Sequence, residues 1–446
     1  MKSLLSVAEA EQRIHAHMPS FGTERVALDA ATGRVLRQTV QAERDQPPFD
    51  RVMMDGIAIA AGAGAGTVPP FSSPCSAGGG WEGVKFLPLG SGATPPQPSP
   101  ALQGREQASI TLRRFRPAGL ALAGMIEQVL DDHRACIEVT TGAMLPRGCH
   151  SVIPIEQTRR EGERFVLIDG CEPAPRQFIH PRAADCRAGE ILLRSGTRIR
   201  SPEVAVLAAN GVAQVEVAKW PSVTIVATGD ELREVDQPLA SGQIRRSNDR
   251  ALAAALAARG FDDVERTWLP DDLDVATQAL AGLLATRQVL VLSGGVSVGQ
   301  RDFVPAALRA LGVQEVLHGI AQRPGKPMWF GIGPQGQVIF ALPGNPVSAL
   351  VCAVRYMLPA LERAIGLTAA APVKVVLTDA VATHPSLTCF VPVDVQHDDH
   401  GRAMARPRPS PTSGDFSSLP QTYGVVELAP AAGAAPAGTV AALFKW

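Results

Sequence analysis

VTIVATGDE (223–231), VLVLSGGVSVG (289–299) and VIFALPGNP (338–346) are the stretches on which the fold turns. Each is a run of β-branched or aliphatic residues that ends at glycine or proline, and the intervals between them have helical composition. Ser247 to Arg259 reads as an Ala/Leu-rich helix stopped by Gly260, and another helix follows Asp271-Asp272. A third runs from Phe303 to Leu311, and a long one from about Val347 to Ile365. Strands alternating with helices predict parallel strands joined by right-handed crossovers, a doubly wound sheet.

Further out, Ser201-Pro202-Glu203 predicts a helix with Ser201 as N-cap and Pro202 at the first position, closed by Asn210-Gly211. Ser6-Val7-Ala8-Glu9 predicts a capping box that opens a helix through about His17. Cys136 to Thr140 is strand-like and runs into a tight turn at Thr141-Gly142. From Val373 onward there are short strands, turns and prolines with no helical period, which predicts a small β domain. Residues 61–100 hold 9 Gly and 8 Pro and resist regular structure, so they read as an insertion without chemistry.

Composition bounds the function. The 446 residues suffice for about three domains, with 46% hydrophobic and 19% charged residues, a globular balance. With 42 Lys+Arg against 43 Asp+Glu the net charge is −1, which gives no reason to expect nucleic acid or an anionic membrane as partner. No apolar run approaches the ~18–20 residues of a membrane span, and Glu9 and Glu11 break the N-terminal apolar stretch as an export signal would not allow. Seven scattered cysteines without a C-x-x-C pair predict reduced thiols and a cytoplasmic protein, not a disulfide framework or a zinc site. The histidines have no metal-ligand spacing, and G-x-S-x-G is missing.

Ligands of an open α/β sheet bind beyond the carboxyl ends of its strands. Three glycine-containing loops fall there: Gly229-Asp230-Glu231, Gly294-Gly295-Val296-Ser297, and Pro343-Gly344-Asn345-Pro346. One such loop is an ordinary turn, but three at one end of a sheet imply a phosphate-bearing or otherwise anionic ligand. Asp230, Glu231, Asp271, Asp272 and Asp302 lie at or just beyond the same ends, hard oxygen donors suited to Mg²⁺ beside a phosphate. Asp271 and Asp302 would otherwise serve only as helix caps. The proline-clamped loop Gln322-Arg323-Pro324-Gly325-Lys326-Pro327 presents two cations, and Pro47 to Gly56 places Asp50 and Asp55 in a rigid turn.

Together these stretches resemble the molybdopterin molybdenumtransferases, the MoeA family that includes the E domain of gephyrin. The resemblance rests on PPFD..MMDGIA (47–58), TGAMLPRG (141–148), TGDEL (228–232), GQI..SN (242–248), SGGVSVG..D (293–302), RPGKP (323–327) and LPGNPVSA (342–349), with a looser SGDFSSL (413–419). It implies insertion of molybdate into adenylylated molybdopterin with release of AMP, dependent on Mg²⁺. It implies a homodimer, with a molybdopterin adenylyltransferase or a molybdoenzyme as possible partner. It also implies four regions: 1–50 with 155–177 for dimerisation, an inserted β domain at 51–154 with a flexible stretch at 61–109, a MogA-like α/β domain at 178–367, and a small C-terminal β-barrel at 368–446.

By the same resemblance Asp55, Thr141, Asp185, Asp271, Asp302 and Lys326 are catalytic, and Glu231, Asp271 and Asp302 hold the metal. Gly229, Asp230, Gly294, Gly295, Ser297, Arg323, Pro343 and Pro346 line the pterin-nucleotide site. The chain departs from the family at Ala184 and Gln300, where an acidic residue is usual, at Arg246 before Ser-Asn, and at Arg323 in place of Lys. Ala184 motivates an alternative, a degenerate paralogue that binds pterin or serves as a scaffold. A single-domain pterin adenylyltransferase is a third reading, disfavoured by the extra domains.

Overall fold

The computed structural model describes residues 4–61, 113–168, 171–296 and 303–446. Most of the Gly/Pro-rich insertion, Cys75, Ser297, Gln300 and Asp302 lie outside the described residues. The chain forms two compact units, Met1–Val40 with Ile191–Trp446, and Gln41–Glu190.

In the first unit, β1 (Val223–Thr228), α1 (Asn248–Ala257), β2 (Val264–Leu269), α2 (Leu273–Thr286), β3 (Val289–Ser293) and α3 (Val304–Ala310) follow one another. Then come β4 (Gln314–His318), β5 (Trp329–Ile332), β6 (Val338–Leu342) and α4 (Pro346–Cys352). Among the described residues they build a six-stranded sheet in the order β2-β1-β3-β6-β5-β4. β2, β1, β3 and β6 are mutually parallel, and β5 runs against its neighbours. β1, β3 and β6 are wholly buried, as continuous apolar strands covered on both faces must be. Leu252, Leu256, Phe330 and Phe340 pack on one face with α4, and Leu280, Leu284, Leu308 and Trp329 on the other. The doubly wound, mostly parallel sheet is as expected.

Two helix details differ from expectation. The helix Ser201–Ala209 is capped one residue earlier, by Arg200, whose backbone N–H donates to the Glu203 carboxylate at 2.8 Å. The long helix after β6 is interrupted by a π-helical turn, Ala353–Met357, before Leu358–Ala364. Pro359 has no N–H for the Arg355 carbonyl, and widening the helix relieves the clash with its ring. The N-terminal helix Val7–His17 does have its capping box, Ser6 Oγ accepting from Glu9 N–H at 3.2 Å.

The C-terminal region is a small closed barrel. Thr388–His397 pairs with both Ala403–Pro407 and Gly424–Leu428, and Val373–Leu377 and Val440–Lys445 complete the circuit. The second unit holds, among the described residues, a six-stranded sheet in which Gly56–Ala60 lies between Cys149–Pro154 and Ala135–Val139. Ala58, Ile137 and Val152 fill one of its faces, and Ile57, Cys136 and Ile153 the other.

Candidate functional site

In the sheet order β2-β1-β3-β6, the chain leaves β1 toward β2 and returns past it to β3, so the strand order reverses between β1 and β3. A crevice opens at such a reversal. The loops after β1 and β3 flank it, and the backbone there requires glycine. Gly294 has φ +106°, and a Cβ on it would lie 2.6 Å from Thr228 Oγ1 and 2.8 Å from the Thr228 carbonyl oxygen. Gly229 has φ +144°, and a Cβ there would meet the Glu231 carboxylate at 2.6 Å.

Asn248, the first residue of α1, ties the loops together. Its Nδ2 donates to Ser293 Oγ at 2.9 Å and to the Gly344 carbonyl at 2.7 Å. Gly294 N–H donates to the Leu342 carbonyl at 3.1 Å, which brings the loop after β6 alongside the loop after β3. Sequence reasoning quoted Asn248 only as part of a motif and missed this role. Its signal was its position, a carboxamide opening a helix beside three glycine turns.

The acidic residues divide. Asp230 Oδ1 accepts the Asp271 backbone N–H at 3.2 Å, so the loops after β1 and β2 abut and hold Asp230, Glu231 and Asp271 at one exposed rim. Helix capping falls to Asp272, whose Oδ1 accepts from Asp274 N–H at 3.0 Å and Val275 N–H at 2.9 Å. Among the described residues no three His, Cys, Asp or Glu side chains are grouped to hold a metal. Two carboxylates with substrate phosphate suffice for Mg²⁺, which favours hard oxygen and keeps its waters, so the rim fits that ion. Ser297 and Asp302 lie outside the described residues. Arg246, the departure from the motif, is neutralised by Glu234 and by the fully buried Asp249, each at 2.7 Å.

Beyond β6, buried Pro343 and then Pro346, at the start of α4, bound the third loop. Asn345 Nδ2 donates to Ser413 Oγ at 2.7 Å, and the Ser413 carbonyl accepts the Val347 N–H at 3.1 Å. The SGDFSSL stretch thus meets the N-terminus of α4. Arg323 and Lys326 stand exposed on a turn whose Ile320 N–H donates to the Lys326 carbonyl at 2.9 Å.

In the second unit the structure joins Asp55 to Thr141. Asp55 Oδ1 accepts from Thr141 N–H at 2.6 Å and Thr141 Oγ1 at 2.8 Å. The backbone N–H and then the hydroxyl hold the Asp55 carboxyl below its ordinary range. Asp185 is bonded instead to His180 Nε2 at 2.8 Å. Both pairs border the strand Arg51–Val52, which bonds to Ile179–His180 on one side and to Gly142 N–H on the other.

Residues 5–211 match the MoeA N-terminal region (domain I and II), and residues 224–363 match the probable molybdopterin binding domain. The molybdopterin molybdenumtransferase of Synechocystis sp. is 35% identical over 99% of this chain and 100% of its own length. That of Nostoc sp. is 32% identical over 77% of this chain and 70% of its own. A crystal structure of molybdopterin biosynthesis MoeA protein from Pyrococcus horikoshii OT3 superposes with TM-score 0.74 at 24% identity, covering 100% of both chains. On this similarity, over essentially its whole length, the chain belongs to the molybdopterin molybdenumtransferase (MoeA) family, enzymes of molybdenum cofactor biosynthesis.

Proposed function

We propose that this enzyme takes adenylylated molybdopterin, inserts molybdate between the dithiolene sulfurs, and releases AMP. The observation that carries the reading is the Asn248 carboxamide, which binds the β3 and β6 loops into one basin. The close-approaching glycine backbone at Gly229, Gly294 and Gly295, with Ser297, suits the phosphates, and Pro343 and Pro346 wall the basin. Arg323 and Lys326 supply countercharge for an anionic group. The soft sulfurs that take the metal belong to the substrate, so no protein thiol is needed.

Mg²⁺, when bound, would neutralise charge on the phosphate oxygens, held by Glu231, Asp271 and Asp302 with Asp230 beside them. Asp55, kept ionised by Thr141, accepts a proton or orients water, and Asp185 is steadied by His180. We propose a cytoplasmic homodimer with residues 1–50 and 155–177 as the dimerisation region. In it Asp55, Thr141 and Asp185 of one copy complete the basin of the other. A molybdopterin adenylyltransferase upstream and a molybdoenzyme downstream are the natural partners of that chemistry.

The test is AMP release from adenylylated molybdopterin with molybdate and Mg²⁺. Wild type should release AMP, and Asp302→Ala should lose at least about a hundredfold in rate while melting as wild type does. Binding without AMP release in wild type would instead favour a pterin-binding scaffold. Consumption of ATP with free molybdopterin would favour an adenylyltransferase.

A further inference from the structure

The turn that carries Arg323 and Lys326 is fixed from beneath by side chains with no part in the mechanism above. Gln322, at its base, is fully buried. Its Nε2 donates to the Pro324 carbonyl at 3.0 Å and lies 3.5 Å from Cys352 Sγ, and its Oε1 accepts from the Tyr356 hydroxyl. Cys352 Sγ lies 3.6 Å from the Gly325 carbonyl oxygen. Gly325, at φ +94°, fits so closely that a Cβ would stand 2.5 Å from Gln322 Nε2 and 2.7 Å from Cys352 Sγ. On its other side Gln322–Arg323 pairs with Thr388–Cys389 of the barrel.

A solvated turn needs no such foundation. Burying an amide costs free energy unless both its ends are bonded, and a fully bonded buried amide rigidifies what rests on it. Cys352 and Tyr356 stand four apart on the helix, at the edge of and within the π-helical turn, so that local widening sets where the Tyr356 hydroxyl reaches. Burial pushes the Cys352 thiol up to about 12 and the Tyr356 hydroxyl up as well, so the hydroxyl remains a donor at neutral pH.

We propose that Gln322 and Tyr356 are positioning residues that hold Arg323 and Lys326 at the spacing required to grip the anionic part of the substrate. The proposal rests on the reading of that turn as an anion site. AMP and molybdate, each titrated calorimetrically into the full chain at neutral pH, are the probes.

Arg323→Ala should weaken at least one probe about tenfold, and Gln322→Met and Tyr356→Phe should each weaken the same probe by roughly as much. The double variant Gln322→Met with Tyr356→Phe removes both ends of the Tyr356–Gln322 bond and leaves no stranded hydroxyl. It should melt above Gln322→Met while keeping the weakened affinity, a split that a purely structural role would not produce. Should either single variant fail to fold, the double variant carries the test. Affinity that recovers along with stability, or single variants that bind as wild type while Arg323→Ala does not, would overturn the positioning role and leave the anion site standing. Wild-type binding of both probes by Arg323→Ala would overturn both.

Discussion

At Asp55 two donors from one residue decide a protonation state. Thr141 supplies a backbone N–H and a hydroxyl to the same carboxylate oxygen, and both favour the charged form. The folded carboxyl therefore sits below its ordinary value and stays ionised to lower pH. Thr141→Val keeps the N–H and removes the hydroxyl, so the carboxyl moves back toward its ordinary value. The acid limb of the pH–rate profile for AMP release should shift to higher pH, with little change above neutrality. At this scale the sequence was only partly legible. Asp55 and Thr141 were quoted from motifs 86 residues apart, and nothing local shows that they share a bond. The roles of Gln322 and Asn248 are not legible in the sequence, because an amide's role depends on what faces it. Arg246 looked like a lost acidic residue, whereas in the fold it neutralises Glu234 and Asp249.

Elements were more legible than their ends. β1, β3 and β6 have the bounds that their apolar runs predicted, because a strand buried on both faces is a nearly continuous apolar run. Helix ends depend on single hydrogen bonds, and there the reading slipped: Arg200 rather than Ser201 stands at the cap of one helix. The π-helical turn was hidden because propensity reads Val347 to Ile365 as one helix, and the effect of Pro359 is felt one turn upstream. Asp272 gives an element-scale prediction. It caps α2 through two N–H groups, so Asp272→Ala should destabilise the chain by about 1 kcal/mol in urea titration. AMP release should be nearly unchanged, because Asp272 bonds only to its own helix. The same change at Asp271, on the acidic rim, should abolish release.

On the scale of the whole molecule, one guanidinium links distant parts of the first unit. Arg355, 7% exposed, pairs with Glu11 of the N-terminal helix at 2.9 Å and with Glu427 of the barrel at 2.6 Å, and lies over the Phe444 ring. Burial alone would raise the Glu11 carboxyl, but bonding to Arg355 more than reverses this and holds it low. A depressed folded pKa means that the contribution is present above the ordinary carboxylate value and is lost as pH falls through the folded one. As pH falls below about 4.3, the ordinary carboxylate value, the wild-type melting temperature should therefore fall further than that of Glu11→Gln. Arg355→Met, which strands two carboxylates, should cost about 3 kcal/mol at neutral pH.

The bond between Arg355 and Glu11 spans 344 positions, with a consequence for synthesis on the ribosome. The helix that carries Glu11 emerges well before its partner guanidinium, which is translated 344 residues later. Long-range closures of this kind form late. Until those residues are made that helix has no finished surface to dock on, and a nascent chain stalled before the barrel is the species that chaperones and proteases would be expected to meet.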